Sequence, residues 1–451
     1  LLSGSGAALV IGYLAKPVLL RLFPVAAFGV FDFLIAVVAV GLTVASLKFE
    51  DAIVLPEDQE EARDIWLLAL LLTALTVGLS ALGVFLFGDL VPDPDARLWL
   101  WTVPALLLLL RVSKLSELWL TRQKQFGHIS AGGVSQSAVT TATRIGLGAS
   151  GAGVGGLIAG FAGGHLVAAS LYTWAALRSL PRSHPFKLRQ VARRYRRFAL
   201  FASPAALVSA LATRLPFLVL MAVFGAEVLG WFGQAFNILY VPLSLVGTAV
   251  GQVFFVRAAE AYRQGSLTRE AAEVHALLVA AAIVPLAGVC AAAPDIFAFV
   301  FGEAWRTAGE FAVPLAPWIA LSAVASPLTR VFDVMERQRL DLALTTTMFA
   351  AMSIALWVGS GFPEARDMVL LLSAAGVVAR VLQLSVCLRI AGLSAPEALR
   401  PYLRPLVEGA LLFAVVYASA SFLSPAITTA TLAAGLLLWA PIFYKRILDH
   451  A

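Results

Sequence analysis

Charge is scarce in this sequence. Of its 451 residues only 13% are Asp, Glu, Lys or Arg, while 60% are Ala, Val, Ile, Leu, Met, Phe, Trp, Tyr or Cys. Soluble domains carry about 25% charged and about 45–50% apolar residues. The deficit excludes a soluble globular domain, a disordered chain and a nucleic-acid-binding surface. Cysteine is nearly missing as well: Cys290 and Cys387 stand in separate apolar segments, so neither a disulfide framework nor a CxxC metal site is available. No GxxxxGK[ST] motif occurs and the dipeptide GK is absent, which leaves ATP hydrolysis without its phosphate-binding loop. There is no HExxH, and the five histidines (His128, His165, His184, His275, His450) are scattered. No metal, cofactor or enzymatic centre is expected.

Hydrophobic length is what the sequence has in abundance. A membrane-crossing helix needs about 20 mostly apolar residues, and fourteen such stretches can be placed, from 1–20 and 26–47 to 405–423 and 425–444. The expected fold is an all-α polytopic membrane protein, with connections too short for an extramembrane domain. The chain opens at Leu1 inside a hydrophobic run, which suggests a trimmed leader; because thirteen spans follow, the first is not a cleaved signal peptide. Even-numbered connections and the tail hold 22 Lys/Arg against four in the odd-numbered ones. By the positive-inside rule both termini face the cytoplasm. The longest connection, 178–197, holds eight basic residues and no acid; topology accounts for them, and anionic lipid headgroups are the functional alternative.

An internal repeat is visible. Phe23–Phe31 and Phe224–Phe232 both read F-x5-G-x-F, 201 residues apart. Phe87-Gly88-Asp89 returns as Phe301-Gly302-Glu303 at 214, and Arg122-Gln123-Lys124 as Arg337-Gln338-Arg339 at 215. The organisation read from these markers is an N-terminal lobe (1–177, spans 1–6), a basic cytoplasmic linker (178–197), a C-terminal lobe (198–391, spans 7–12), and spans 13–14 with the tail (392–451). Six spans per lobe imply a pseudo-two-fold axis along the membrane normal, and transporters built from repeats place substrate at the repeat interface. The glycines between Gly146 and Gly164 suit close packing of spans 5 and 6.

Seven basic residues fall within or at the edges of spans: Lys16, Arg111, Lys114, Arg144, Arg214, Arg330 and Arg380. A charge at mid-bilayer costs at least about 2.5–3.5 kcal/mol, so such residues usually face water or a partner. Arg111, Arg144, Arg214 and Arg380 are deepest and are read as a cationic cavity for substrate; Lys16 and Lys114 either snorkel or join it. Embedded acids are fewer. Asp32 is placed to pair with Lys16, and Asp32 or His165 is a candidate carrier of a coupling proton. Arg330 and Glu117 read as interfacial ion-pair members. A mainly cationic interior suits an anionic substrate.

Lys48-Phe49-Glu50-Asp51-Ala52-Ile53-Val54-Leu55-Pro56, with the acidic Glu57–Ala62 after it, resembles a segment of the bacterial polysaccharide-repeat (O-antigen or exopolysaccharide) flippases. These are the Wzx-type members of the multidrug/oligosaccharidyl-lipid/polysaccharide superfamily. Pro242–Gly247 through Gln252-Val253-Phe254, Arg257–Ala261, Phe301–Arg306, Leu315–Trp318 and Ser326-Pro327-Leu328 are similar as well. The resemblance implies two six-helix lobes around a cavity open alternately to each side of the inner membrane. It implies transfer of an undecaprenyl-pyrophosphate-linked oligosaccharide to the outer leaflet for surface polysaccharide synthesis, with membrane lipids and the polysaccharide polymerase machinery as partners. Rivals are a multidrug/cation antiporter, which would need a dominant embedded carboxylate, and a peptidoglycan-precursor flippase of the same superfamily. A membrane glycan polymerase or ligase is a third, opposed by outer loops of about ten residues or fewer, too short to place catalytic acids.

Overall fold

The computed structural model describes residues 11–181 and 186–449. The first half of the first predicted span lies outside them, as do Arg182, His184 and His450. Among the described residues there is no strand. Segments apolar on every side leave backbone N–H and C=O groups no partner in lipid except their own helix.

Backbone contacts group the chain into two compact units, Leu1–Gly230 and Trp231–Ala451. The first contains α1 (Lys16–Leu22), α2 (Val25–Ala45), α3 (Gln59–Phe87), α4 (Pro94–Trp99), α5 (Val103–Arg122), α6 (Phe126–Ala149), α7 (Gly153–Ser179) and α8 (Leu188–Arg194). The 62-residue α9 (Ser203–Gln264) runs across the boundary and is interrupted at Gly225, whose φ of 83° and ψ of −175° no helix contains. The second unit adds α10 (Leu267–Cys290), α11 (Ala293–Phe301), α12 (Arg306–Leu328), α13 (Arg330–Val334), α14 (Gln338–Gly359), α15 (Ala365–Ile390), α16 (Ala395–Phe422) and α17 (Pro425–Asp449).

Ten helical stretches are long and apolar enough to cross a membrane among the described residues. The expected fifth span is a 24-residue helix, α6, but Ser130, Ser135, Gln136, Ser137, Thr140, Thr141, Thr143 and Arg144 make it too polar to count. In the last helix the stretch searched among the described residues, Pro425–Pro441, is apolar. Local chemistry sets the boundaries. Asp58 caps α3 by accepting the Glu60 amide at 3.0 Å, with Glu60 and Glu61 in the positive first turn. Ser394 and Glu397 form a capping box on α16. α3 buries Ala62, Ile65, Trp66 and Ala69 at its start. Further on it exposes Leu71, Leu75, Leu79, Leu82 and Phe85, a stripe suited to acyl chains.

The repeat markers differ in what the structure gives them. In the first unit, a Cβ on Gly29 would overlap the Ala226 carbonyl oxygen, and one on Gly230 would overlap that of Val25. Val25 and Ala226, and Gly29 and Gly230, are each 201 residues apart, so the offset of the F-x5-G-x-F motifs also relates these two contacts. Gly88 and Gly302 differ: φ is −58° at the first and 106° at the second. At the third marker the matching backbone is offset by 212 rather than 215. Lys124 (φ 56°) and Glu336 (φ 55°) are both left-handed, and the next amides, Gln125 and Arg337, reach back to Leu120 O and Phe332 O. Reading Arg-Gln as the anchor misses this, because the turn is fixed by its left-handed residue.

Candidate functional site

The first unit carries an open cavity of about 510 Å³ with a mixed polar and apolar lining. Its rear wall is an ion pair. α2 ends at Ala45, and left-handed Leu47 (φ 49°) and Lys48 (φ 63°) fold the chain back into a single turn, Phe49–Ala52. That reversal puts Glu50 beneath α5, where Arg111 Nη1 donates to Glu50 Oε1 at 2.7 Å. The Ser46 hydroxyl donates to the other carboxylate oxygen and Arg111 Nη2 to the Leu42 carbonyl. Arg111 is 5% exposed and Glu50 3%, while Arg111 Nε has no hydrogen-bond partner. Arg111, expected as a cavity cation, is joined to Glu50 of the turn that follows α2. One signal was available: an Arg that deep requires a carboxylate or water, and Glu50 and Asp51 are the first acids after the second apolar stretch.

In front of this pair, Lys114 Nζ meets Glu117 Oε1 at 3.1 Å on the same face of α5. Lys48 and Asp51 pair at 3.4 Å, and both line the cavity with Gln136 and His165. His165 Nδ1 lies 2.9 Å from the Phe161 carbonyl and Nε2 lies 2.9 Å from Gln136 Nε2. A carbonyl only accepts and an amide nitrogen only donates. With the Gln136 amide in this orientation, a neutral ring with its proton on Nδ1 satisfies both contacts.

A second cluster adjoins the first. Arg144, on the polar face of α6, donates from Nε to Leu157 O at 3.1 Å. Its guanidinium carbon stands 4.6 Å over the Phe31 ring and 6.0 Å from that of Phe161. Phe31, Phe161 and His165 contact in series, with centroid separations of 5.6 and 4.1 Å. Asp32 acts electrostatically on both Lys16 and Arg144. Arg144 Nη2 is buried without a hydrogen-bond partner, and a buried unsatisfied donor in a native fold demands an explanation. α6 and α7 approach closely enough to frame this cluster because Gly160 and Gly164 have no side chain: a Cβ there would strike Arg144 Cγ and Thr140 Oγ1.

Of the predicted residues, then, Arg111, Lys114 and His165 line one cavity, and Lys16, Asp32 and Arg144 form the neighbouring cluster. Arg214 stands apart on α9, its guanidinium 5.9 Å from the Phe217 ring, with no ion pair among the described residues. Arg380 belongs to the second unit, where Nε donates to Ser322 Oγ at 3.1 Å and Nη1 to Gln383 Oε1 at 2.7 Å. Arg330 pairs with Asp333 at 3.1 Å. Among the described residues no group of His, Cys, Asp or Glu could hold a metal.

The basic connection is anchored to acids that the sequence reading did not assign to it. Arg63 and Asp64, both buried, pair at 2.9 Å. Asp64 Oδ2 accepts the Lys187 amide at 2.9 Å, and Arg63 Nη1 donates to Pro181 O at 3.3 Å. Arg194 meets Glu61 at 2.7 Å, while Val191 and Tyr195 enter the apolar cluster of Phe49, Ile53, Trp66 and Trp119. The 48–62 motif is thus a dock for this segment as well as the platform for Glu50.

A bundle of membrane-length helices with charges gathered in its interior defines a multi-span membrane protein. Residues 18–310 match the family described as polysaccharide biosynthesis protein, and the chain belongs to that family. No curated protein matches the chain. Among solved structures it resembles the lipid II flippase MurJ in an inward closed conformation: TM-score 0.74, 13% identity, covering 98% of this chain and 99% of that one. It also resembles an inward-facing multidrug-resistance MATE family transporter of the MOP superfamily (TM-score 0.59, 15% identity, 86% and 94% covered). A third is a MOP superfamily transporter from Pyrococcus furiosus whose binding pocket is described as having reverse polarity (TM-score 0.54, 16% identity, 86% and 93% covered). Identities this low establish a shared fold.

Proposed function

We propose that the protein is a flippase that moves an undecaprenyl-pyrophosphate-linked oligosaccharide from the cytoplasmic to the outer leaflet of a bacterial inner membrane by alternating access, with both termini cytoplasmic. A sugar-pyrophosphate head cannot cross about 30 Å of hydrocarbon unless something replaces its hydration. Guanidinium and ammonium donors do this well, and the Arg fork matches phosphate oxygens.

The observation that carries the reading is Arg144: a buried guanidinium with an unused donor, next to a cavity large enough for a head group. Lys16 extends the cationic surface, Lys114 stands at the cavity wall paired with Glu117, and Arg214 and Arg380 are further contact points. Arg111 serves through Glu50, which holds it in place. An outward movement of roughly two negative charges down a potential of about 100 mV, inside negative, gains up to about 4–5 kcal/mol. A proton returning on Asp32 or His165 then resets the cycle; rotation of the Gln136 amide would present its oxygen to a protonated Nε2, so both states of His165 are hydrogen-bonded. A cation antiporter is disfavoured because the most buried carboxylates, Glu50 and Asp64, are each bound to an arginine.

The test is complementation in a strain lacking its own repeat-unit flippase. The reading expects restored surface polysaccharide and depletion of lipid-linked repeat units from the inner leaflet. Restored resistance to cationic drugs, with those units still accumulating, would reject it.

A further inference from the structure

In the second unit, one face of α9 presents Phe232, Phe236, Tyr240, Ser244, Thr248 and Gln252 at four-residue intervals. The three rings stack in order, with centroids 6.1 and 5.2 Å apart and planes 21° from parallel. α12 carries Trp318, Ser322 and Ser326, continued by Arg330 of α13, at the same spacing. Phe236 and Trp318 meet at 5.7 Å and fix the register of the two faces. Past the rings these faces line a cavity of about 460 Å³, within the about 300–1,000 Å³ usual for small-ligand pockets. Ser322 is buried at one end, while Gln252, Ser326 and Arg330 are exposed at the other.

The lining specifies a ligand chemistry. Ser244 Oγ donates to Val241 O at 2.8 Å and Thr248 Oγ1 to Ser244 O at 2.7 Å. Their donors are occupied, which leaves oxygens free to accept. Among the described residues the side chains of Gln252 and Ser326 have no hydrogen-bond partner. No carboxylate lines the cavity, so it is not a cation site. Arg330 already pairs with Asp333, and Arg380, behind the wall at Ser322, is hydrogen-bonded to Ser322 and Gln383, so the cavity is not strongly anionophilic. Mixed hydroxyl and amide groups beside a phenol ring suit a neutral, polyhydroxylated ring with apolar C–H faces.

We infer that this cavity is a saccharide subsite that takes a pyranose ring of the lipid-linked oligosaccharide. The inference rests on the flippase reading above and adds a second place of recognition, within the second unit.

The experiment compares two probes on the purified full-length protein in nanodiscs: undecaprenyl pyrophosphate and undecaprenyl-pyrophosphoryl-N-acetylglucosamine. Wild type should bind the glycosylated lipid more tightly. The Q252A/S326A double variant should lose about tenfold in affinity for it and none for the bare pyrophosphate. Gly251 faces Pro327 across the cavity margin with ordinary contact distances, so G251L, which fills the space, provides an independent second variant; it should give the same pattern. Melting curves certify folding of each. Equal affinity of wild type for both probes, or equal losses for both in the variants, would overturn the subsite while leaving the flippase reading intact. Wild type that binds neither lipid would reject the flippase reading, and the subsite with it. Saturable micromolar binding of free N-acetylglucosamine would overturn the assignment to a lipid-linked ligand.

Discussion

Removing the Glu50 carboxylate should be the most damaging single polar change in the first unit. Arg111 and Glu50 are 5% and 3% exposed and 2.7 Å apart. Two unit charges at about 4 Å attract by about 4 kcal/mol at an effective dielectric near 20. Deleting one partner also strands the other without water, and buried pairs broken in this way lose about 3–5 kcal/mol. E50A should therefore fall by about that amount, as should R111M. The double variant E50A/R111M removes both charges and should recover a substantial part, a coupling energy of about 2 kcal/mol or more. Both cysteines are shielded, Cys387 buried and Cys290 half-buried. Thermal unfolding followed by loss of helical circular dichroism, with exposure of the two native thiols to a reactive fluorophore as a second readout, reports these differences. Strict additivity in the double variant, or single variants within about 0.5 kcal/mol of wild type, would refute the pairing.

Three further outcomes follow from the packing. G29A should prevent accumulation of folded protein, because its methyl would overlap the Ala226 carbonyl. G163A, whose new methyl meets nothing within 4 Å, should accumulate normally; the ratio of monodisperse protein after extraction checks both. D64N should expose the 186–197 segment by weakening its grip on Arg63 and the Lys187 amide, and limited trypsin digestion at Arg189 and Arg193 should accelerate severalfold. R194E should have a far smaller effect on the same digestion, since its side chain is 63% exposed and exposed pairs contribute only about 0.2–1 kcal/mol.

Helix positions and interior charges were legible in the sequence because both depend on composition. Apolar length gives a span, and an Arg within one must find a polar neighbour, which is how Arg144 and Arg380 were singled out. The glycines of α6 and α7 were legible for a similar reason, since close backbone approach is written as a missing Cβ. Glu50 was not. Its position depends on left-handed backbone at Leu47 and Lys48, residues with no preference for that conformation, stabilised only by the buried contacts it creates. The hold of Glu61 and Asp64 on the 186–194 segment joins residues more than 120 positions apart and has no local signature. The Tyr240–Gln252 stripe has four-residue spacing, yet in a helix apolar on all sides its polar members stood out only once Ser322 and Ser326 appeared opposite.

Translocation of undecaprenyl-pyrophosphoryl saccharide in proteoliposomes that contain wild type, R144K or R144M tests the central claim most directly. A charged hydrogen bond contributes about 1.5–3 kcal/mol, and each 1.4 kcal/mol is tenfold. R144M, folded and inserted like wild type, should therefore move the lipid at least about tenfold more slowly, with R144K between the two. Wild-type rates in R144M would show that the Nη2 donor of Arg144 does not receive the phosphate.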